Sequence, residues 1–159
     1  MLDKDYIMLG NGGHASVLRD IAKLKGFNEI GYVLGNSSTK KPLQNSCLGD
    51  DNWLLKKSDN KPLLINGLGH NPYSEIRNKI YDIYLSHGFT FITMIHPSAQ
   101  ISKTAKLETG VQVMAGAVIQ ANSVIKSNTI INTHSSVDHD CIINGGSHVA
   151  PGKRKVRYL

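Results

Sequence analysis

Alternating strands and helices before residue 95, and a six-residue period after it, predict an α/β N-terminal Rossmann-like domain followed by a left-handed parallel β-helix of hexapeptide repeats. Three observations carry this reading. Stepping by six from Ile95 gives Ile101, Leu107, Val113, Ile119, Ile125, Ile131, Val137, Ile143 and Val149, so all ten positions are aliphatic. With aliphatics at about a quarter of positions in ordinary chains, such a run arises by chance on the order of once in a million. Four residues after each aliphatic stands a small or β-branched residue, from Ala99 to Ser147, until Lys153 breaks the column. A triangular coil needs both columns, because an aliphatic side chain fills the interior of each flat face while the tight corner admits only a small one. A helix or a hairpin would keep a different period. The third observation is the apolar run Tyr6-Ile7-Met8-Leu9, which ends in Gly10-Asn11-Gly12-Gly13-His14-Ala15, a Gly-rich strand-to-helix turn.

The elements follow in order. After the first strand, Val17, Leu18, Ile21, Ala22 and Leu24 recur at helical spacing up to Gly26, a C-terminal cap. Ile30-Gly31-Tyr32-Val33 reads as a second strand and Leu63-Leu64-Ile65-Asn66 as a third. Residues 34 to 61, rich in Asn, Ser, Lys and Asp, read as a loop with a short helix around Trp53-Leu54-Leu55. A helix from Pro72 to His87 carries Ile76, Ile80, Ile83 and Tyr84, and Phe89 to Met94 reads as a fourth strand leading into the coils. Turn formers such as Asn122-Ser123, Ser127-Asn128 and Asn144-Gly145-Gly146 fall between the aliphatics, as corners require. The expected domains are 1–94, 95–152 and a basic tail, 153–159.

Composition narrows the function classes. At 40% hydrophobic and 19% charged residues the chain has a globular balance, and no apolar window is long enough for a membrane span. Its N-terminus, Met1-Leu2-Asp3-Lys4-Asp5, carries charges where a secretory signal is apolar, so a cytoplasmic protein is expected. Four of its six net positive charges are Lys153, Arg154, Lys155 and Arg157, and no nucleic-acid motif accompanies them, so no nucleic-acid partner is expected. Cys47 and Cys141 lie far apart without ligand spacing, which points to neither a disulfide framework nor a metal site. The Gly-rich turn can cradle a phosphate on backbone N–H groups, or serve only as a tight turn. A nicotinamide site would add an acidic residue at the end of the second strand, where this chain reads Val33-Leu34-Gly35. That argues against an NAD-dependent dehydrogenase.

The Gly12-Gly13-His14 turn, Ser74-Glu75-Ile76-Arg77, the junction Ile95-His96-Pro97-Ser98-Ala99 and the segment Asn132-Thr133-His134-Ser135-Ser136-Val137-Asp138-His139-Asp140-Cys141 together carry a resemblance. From Ile7 to about Gly152 the chain resembles the bacterial sugar acetyltransferases of the sialic acid O-acetyltransferase and UDP-4-amino-sugar N-acetyltransferase type. The resemblance implies a homotrimer with active sites between neighbouring coils, a nucleotide-sugar held by the N-terminal domain, and acetyl-CoA lying along the β-helix. It implies transfer to the amino group of a UDP-linked amino-deoxy sugar in surface glycan biosynthesis, with sialic acid O-acetylation as the alternative. His139 matches the family's general base and Asp140 the acidic residue that follows it. His148 matches a histidine that contacts acetyl-CoA, Gly12, Gly13 and His14 the substrate-contacting turn, and Asn132 an asparagine near the catalytic pocket. The chemistry agrees, since an attacking amine or hydroxyl must lose a proton and a neighbouring carboxylate orients the imidazole that takes it. His70, His87, His96 and His134 read as polar surface.

The sequence departs from the family pattern in two places. Leu34-Gly35-Asn36 stands where many members have Asp, and the repeat breaks at Lys153 where the family continues for further coils. A shortened, catalytically impaired member that only binds nucleotide-sugar is therefore a second alternative.

Overall fold

The computed structural model describes residues 4–35, 46–57 and 61–155. It contains two compact units, Met1–Phe91 and Ile92–Leu159. The first holds β1 (Asp5–Leu9), α1 (Gly13–Leu24), β2 (Asn28–Leu34), β3 (Cys47–Asp50), α2 (Asp51–Leu55), β4 (Leu63–Asn66), α3 (Ile76–Ser86) and β5 (Thr90–Phe91). All its strand pairs are parallel, in the order β3-β2-β1-β4-β5. The chain moves outward from β1 through β2 to β3 and returns to the other side of β1 as β4. Helix-covered parallel strands of this order open a crevice at their C-terminal ends, where the order reverses.

Local rules account for most of these elements. The apolar run of β1 is buried because it lies at the sheet centre, with Ile7, Met8 and Leu9 all at most 2% exposed. α1 packs Ala15, Leu18, Ile21 and Ala22 inward and stops at Gly26, whose φ of 71° suits a residue without Cβ. There Phe27 N–H donates to Ala22 O at 2.9 Å and Gly26 N–H to Lys23 O at 3.0 Å, the paired bonds of a Schellman ending.

Several details differ from expectation. β3 falls inside the span read as loop, because an edge strand of sequence Cys-Leu-Gly-Asp has too little apolar pattern to register. The remainder of that reading, over 36–45 and 58–60, lies outside the described residues. α3 begins at Ile76 rather than Pro72, since Asn71 Oδ1 accepts from Tyr73 N–H at 2.9 Å and closes a turn there. α3 is also rotated: Arg77, Tyr81 and Tyr84 are buried, whereas Ile76 is 50% and Ile83 41% exposed. Aromatic packing explains the rotation. Tyr81 stacks on Phe91 at 4.4 Å, Tyr84 meets Phe89 edge-on at 5.2 Å, and the Tyr84 hydroxyl donates to Asp51 Oδ1 at 2.8 Å.

The second unit is the coil, and the strand expected over Phe89 to Met94 splits at its start: β5 pairs with β4, while β6 (Met94–Ile95) opens the coil. One face stacks β6, β9 (Gln112–Val113), β12 (Ile130–Ile131) and β15 (His148–Val149). A second stacks β7 (Gln100–Ile101), β10 (Val118–Ile119), β13 (Ser136–Val137) and β16 (Arg154–Lys155). The third stacks β8 (Lys106–Leu107), β11 (Val124–Ile125) and β14 (Ile142–Ile143). Every residue pairs with the one eighteen positions on, as Val118 with Ser136 and Ser136 with Arg154. All ten aliphatics of the periodic column lie in one core, with Ile95, Ile101 and Leu107 only partly buried and the other seven buried. The fold class is thus as the sequence predicts. β16 also carries the coil path two residues past the break at Lys153, because backbone pairing to β13 does not depend on which side chain sits there.

A further column emerges at the corners. Gly110, Gly116, Asn122, Asn128, His134, Asp140, Gly146 and Gly152, six apart, all have φ between 54° and 72°. All but Gly152, which stands before Lys153, precede a member of the small-residue column, and a turn of this hand needs φ > 0 at that place, which Gly, Asn and Asp accept most readily. Among the described residues no helix is long and apolar enough to cross a membrane.

Candidate active site

The corner between β13 and β14 holds the two residues expected to act as base and orienting acid. Asp140 sits at a left-handed corner with φ 55°, which turns its carboxylate back along the coil surface. There Oδ1 accepts from Asn122 Nδ2 of the preceding coil at 3.2 Å, and Oδ2 lies 2.7 Å from His139 Nδ1. The short reach of Asp therefore suffices to pair with the ring. A carboxylate can only accept, so Nδ1 carries the proton, and in the neutral ring Nε2 is the nitrogen left with a lone pair. The His139 side chain is 64% exposed, so this nitrogen is accessible. The backbone of the same corner is held by Asp138, whose Oδ1 accepts from His139 N–H at 3.1 Å and whose Oδ2 takes Arg154 Nη2 at 3.0 Å. The Arg154 guanidinium, with the His139 amide, holds the Asp138 carboxyl below the usual carboxylate range.

A second pair lies on the face of β12 and β15. Asn132 Oδ1 accepts from Thr133 N–H at 2.7 Å, which orients the amide so that Nδ2 donates to His148 Nε2 at 2.9 Å. His148 is thereby fixed as the neutral Nδ1–H tautomer. Asp140 and His148 border one cavity of about 760 Å³ at the last coil, with Asn144, Ser147 and Lys155 on the same wall. The structure thus brings His139 to Asp140 and Asn132 to His148, with Asp140 and His148 on a shared cavity.

Gly12, Gly13 and His14 belong to the α/β unit. Gly12 caps α1 without a side-chain hydrogen bond, and no atom lies within 4 Å of a Cβ built on Gly12 or Gly13. The N-terminus of this twelve-residue helix thus has no side-chain cap and leaves room beside its two glycines, and helix N-termini of this kind suit anions. His14 packs beside Gly69 of the β4–α3 connection, its Cβ 3.4 Å from where one on Gly69 would stand.

Beside this turn is a cavity of about 410 Å³ at the C-terminal ends of the strands, within the range of small-molecule sites. Leu9 and Gly10 end β1 there, Val33 and Gly35 end β2, and Asp51, Leu68, Ile76 and Ile80 complete the lining. The Ile76–Ile80 ridge is available for this because α3 buries its neighbouring face instead. Leu68 is held by Arg77 and Asn66. Asn66 Oδ1 accepts from Leu68 N–H at 3.2 Å, and the Arg77 guanidinium donates to Asn66 O at 3.1 Å and to Leu68 O. Burial pushes that guanidinium down to about 9, which leaves it charged at neutral pH beneath the turn. Sequence reading gave no site role to Asp51, Leu68 or Arg77; an arginine in register with Tyr81 and Tyr84 was the available signal.

With this geometry in view, the likeness to known proteins becomes specific. Residues 5–84 match the PglD N-terminal domain. The acetyltransferase domain of PglB from Neisseria gonorrhoeae, solved in complex with acetyl coenzyme A, is 31% identical with a TM-score of 0.80, over 95% of this chain and 72% of that one. The chain belongs to the PglD family of sugar acetyltransferases. PerB from Caulobacter crescentus, solved in complex with CoA and GDP-perosamine, is 32% identical with a TM-score of 0.82, over 94% of this chain and 70% of that one. WeeI from Acinetobacter baumannii, at 16% identity and a TM-score of 0.73, shares the fold. Family membership accounts for the co-occurrence of a Gly-rich α/β unit and a hexapeptide coil in one chain.

Proposed function

We propose that this acetyltransferase moves an acetyl group from acetyl-CoA to the amino group of a nucleotide-linked amino-deoxy sugar, UDP-linked by the sequence resemblance, with His139 as general base. The observation that carries the proposal is the 2.7 Å His139–Asp140 pair, which leaves Nε2 as the ring's acceptor. The substrate amine attacks the thioester carbonyl while Nε2 takes its proton. A C–N bond forms, the C–S bond breaks, and the imidazolium returns the proton to the departing thiolate. Asp140 keeps the productive tautomer and favours the cation formed on the way. His148 serves the acetyl-CoA side and Asn132 the substrate near the catalytic pocket, while Gly12, Gly13 and His14 receive the nucleotide phosphates at the α1 N-terminus. The complexes of PglB with acetyl coenzyme A and of PerB with GDP-perosamine support both ligand classes.

The decisive measurement is acetyl transfer to UDP- and GDP-linked amino sugars. His139→Ala should lower kcat about 10²- to 10⁴-fold with its melting temperature kept, and Asp140→Asn should lower it less, because the imidazole remains. Full turnover by His139→Ala would overturn the assignment. A cytoplasmic homotrimer is part of the same proposal, because a short coil has flat faces and a thin core that packing against copies would cover. Sedimentation as a monomer at micromolar concentration would contradict it.

A further inference from the structure

The second strand lacks the acidic residue that commonly grips a ribose in a nucleotide-binding α/β unit, for it ends Val33-Leu34-Gly35. The structure supplies a carboxylate to that place from the neighbouring strand. Asp51 follows β3 directly, is only 9% exposed, and borders the 410 Å³ cavity. Its Oδ1 accepts from the buried Tyr84 hydroxyl at 2.8 Å, which fixes the rotamer. Its Oδ2 lies 3.8 Å from where a Cβ on Gly35 would stand, at the end of β2.

We propose that Asp51, set by Tyr84, is the specificity-determining acceptor for the nucleoside part of the substrate, taking a hydrogen bond from a ribose hydroxyl or a base N–H. This rests on the nucleotide-sugar reading above and adds to it the residue that recognises the nucleoside. The placement is what a nucleotide requires. Phosphates belong at the Gly12–Gly13 turn after β1, and strands are spaced about 5 Å apart, so β2 and β3 lie one and two spacings from the phosphate site. The group next to the phosphates therefore meets Gly35 and Asp51. Across the cavity Val33, Ile76 and Ile80 offer apolar walls to the flat face of a sugar or base. A carboxylate among such walls can accept more than one hydrogen bond, so it favours a ligand that brings a donor.

The test is calorimetry with UDP, GDP and inorganic pyrophosphate on the full chain. Asp51→Asn should weaken UDP or GDP about 10- to 100-fold and leave pyrophosphate, which has no nucleoside, unchanged. Tyr84→Phe keeps the carboxylate but removes one of its hydrogen bonds, and should cost a smaller factor. On the unmutated protein, 2′,3′-dideoxy analogues and analogues methylated on the base N–H should separate the sources: the ribose is gripped if the first bind 10- to 100-fold worse, the base if the second do. Binding of UDP and GDP by Asp51→Asn as tight as by the unmutated protein, or binding of every analogue by the unmutated protein as tight as its parent, overturns the inference while the nucleotide-sugar reading stands. If Asp51→Asn fails to fold, the analogue series decides. If the unmutated protein binds neither nucleoside diphosphates nor pyrophosphate, the nucleotide-sugar reading fails and this inference with it.

Discussion

The coil and the α/β unit solve the same packing problem in different ways. In the coil, each buried aliphatic stacks on its equivalents one turn away, so Val113 and Ile131 meet in the same register as Ile119 and Val137. In the α/β unit, each helix chooses which face to bury by what the sheet offers it. Isoleucines at regular spacing are therefore interior in the coil, yet Ile76 and Ile83 of α3 are half-exposed. Periodic spacing implies burial only where the backbone path repeats with the same period. The two units also place polar chemistry differently: His139 and Asp140 stand on a coil corner, whereas Asp51 and the Gly-rich turn stand at strand ends.

The largest effect that could break this contrast is a pair of truncations. Ile131→Ala, at a fully buried coil position, should destabilise by about 2–5 kcal/mol. Ile76→Ala, on the exposed ridge of α3, should change stability by no more than about 0.5 kcal/mol. Denaturant melts of the two variants measure this directly, and comparable losses would show that the rotation of α3 is wrong.

A smaller effect concerns the corners. Asn122 holds φ 60°, and a residue without its local hydrogen bonding pays about 1–2 kcal/mol in that region, so Asn122→Ala should cost on that order. Asn122→Gly should recover most of the backbone part. Because Asn122 Nδ2 also anchors Asp140 Oδ1, both variants should reduce turnover even where stability is regained. A glycine variant that is both stable and fully active would remove Asn122 from the site.

The smallest effect is electrostatic. The Asp138 carboxyl is held low by Arg154, so the ionised form is favoured in the folded protein. Its contribution is present above the ordinary carboxylate value and is lost as pH falls through the lowered, folded-state value. Arg154→Ala should move the Asp138 titration, followed by NMR, back up toward the ordinary range. An unmoved titration would show that the β13–β16 pairing does not carry this ion pair.

How much could be read in advance follows the same division. In the coil, the aliphatic column, the small corners and the His139–Asp140 neighbours were all legible, because contacts there are fixed by sequence distance. The left-handed corner column was only half legible: Gly and Asn signal it, but His134 and Asp140 occupy the same position without announcing it. In the α/β unit the strands with apolar runs and the Gly-rich turn were legible, while β3 was hidden in polar sequence. The absence of an acidic residue after Val33 was read correctly as sequence and incompletely as space, since Asp51 reaches the same place from another strand.

Sequence alone thus determined the coil and the α/β elements that carry an apolar run or helical spacing, since each depends on residues adjacent in the chain or spaced by a repeating path, while the family resemblance singled out His139 and Asp140. Tertiary structure alone decided which face of α3 is buried, that Asn132 holds His148 as one tautomer, and that Asp51 is delivered to the end of β2. Those outcomes turn on aromatic packing and hydrogen bonds between residues separated by no regular interval, and only the folded chain brings them within reach.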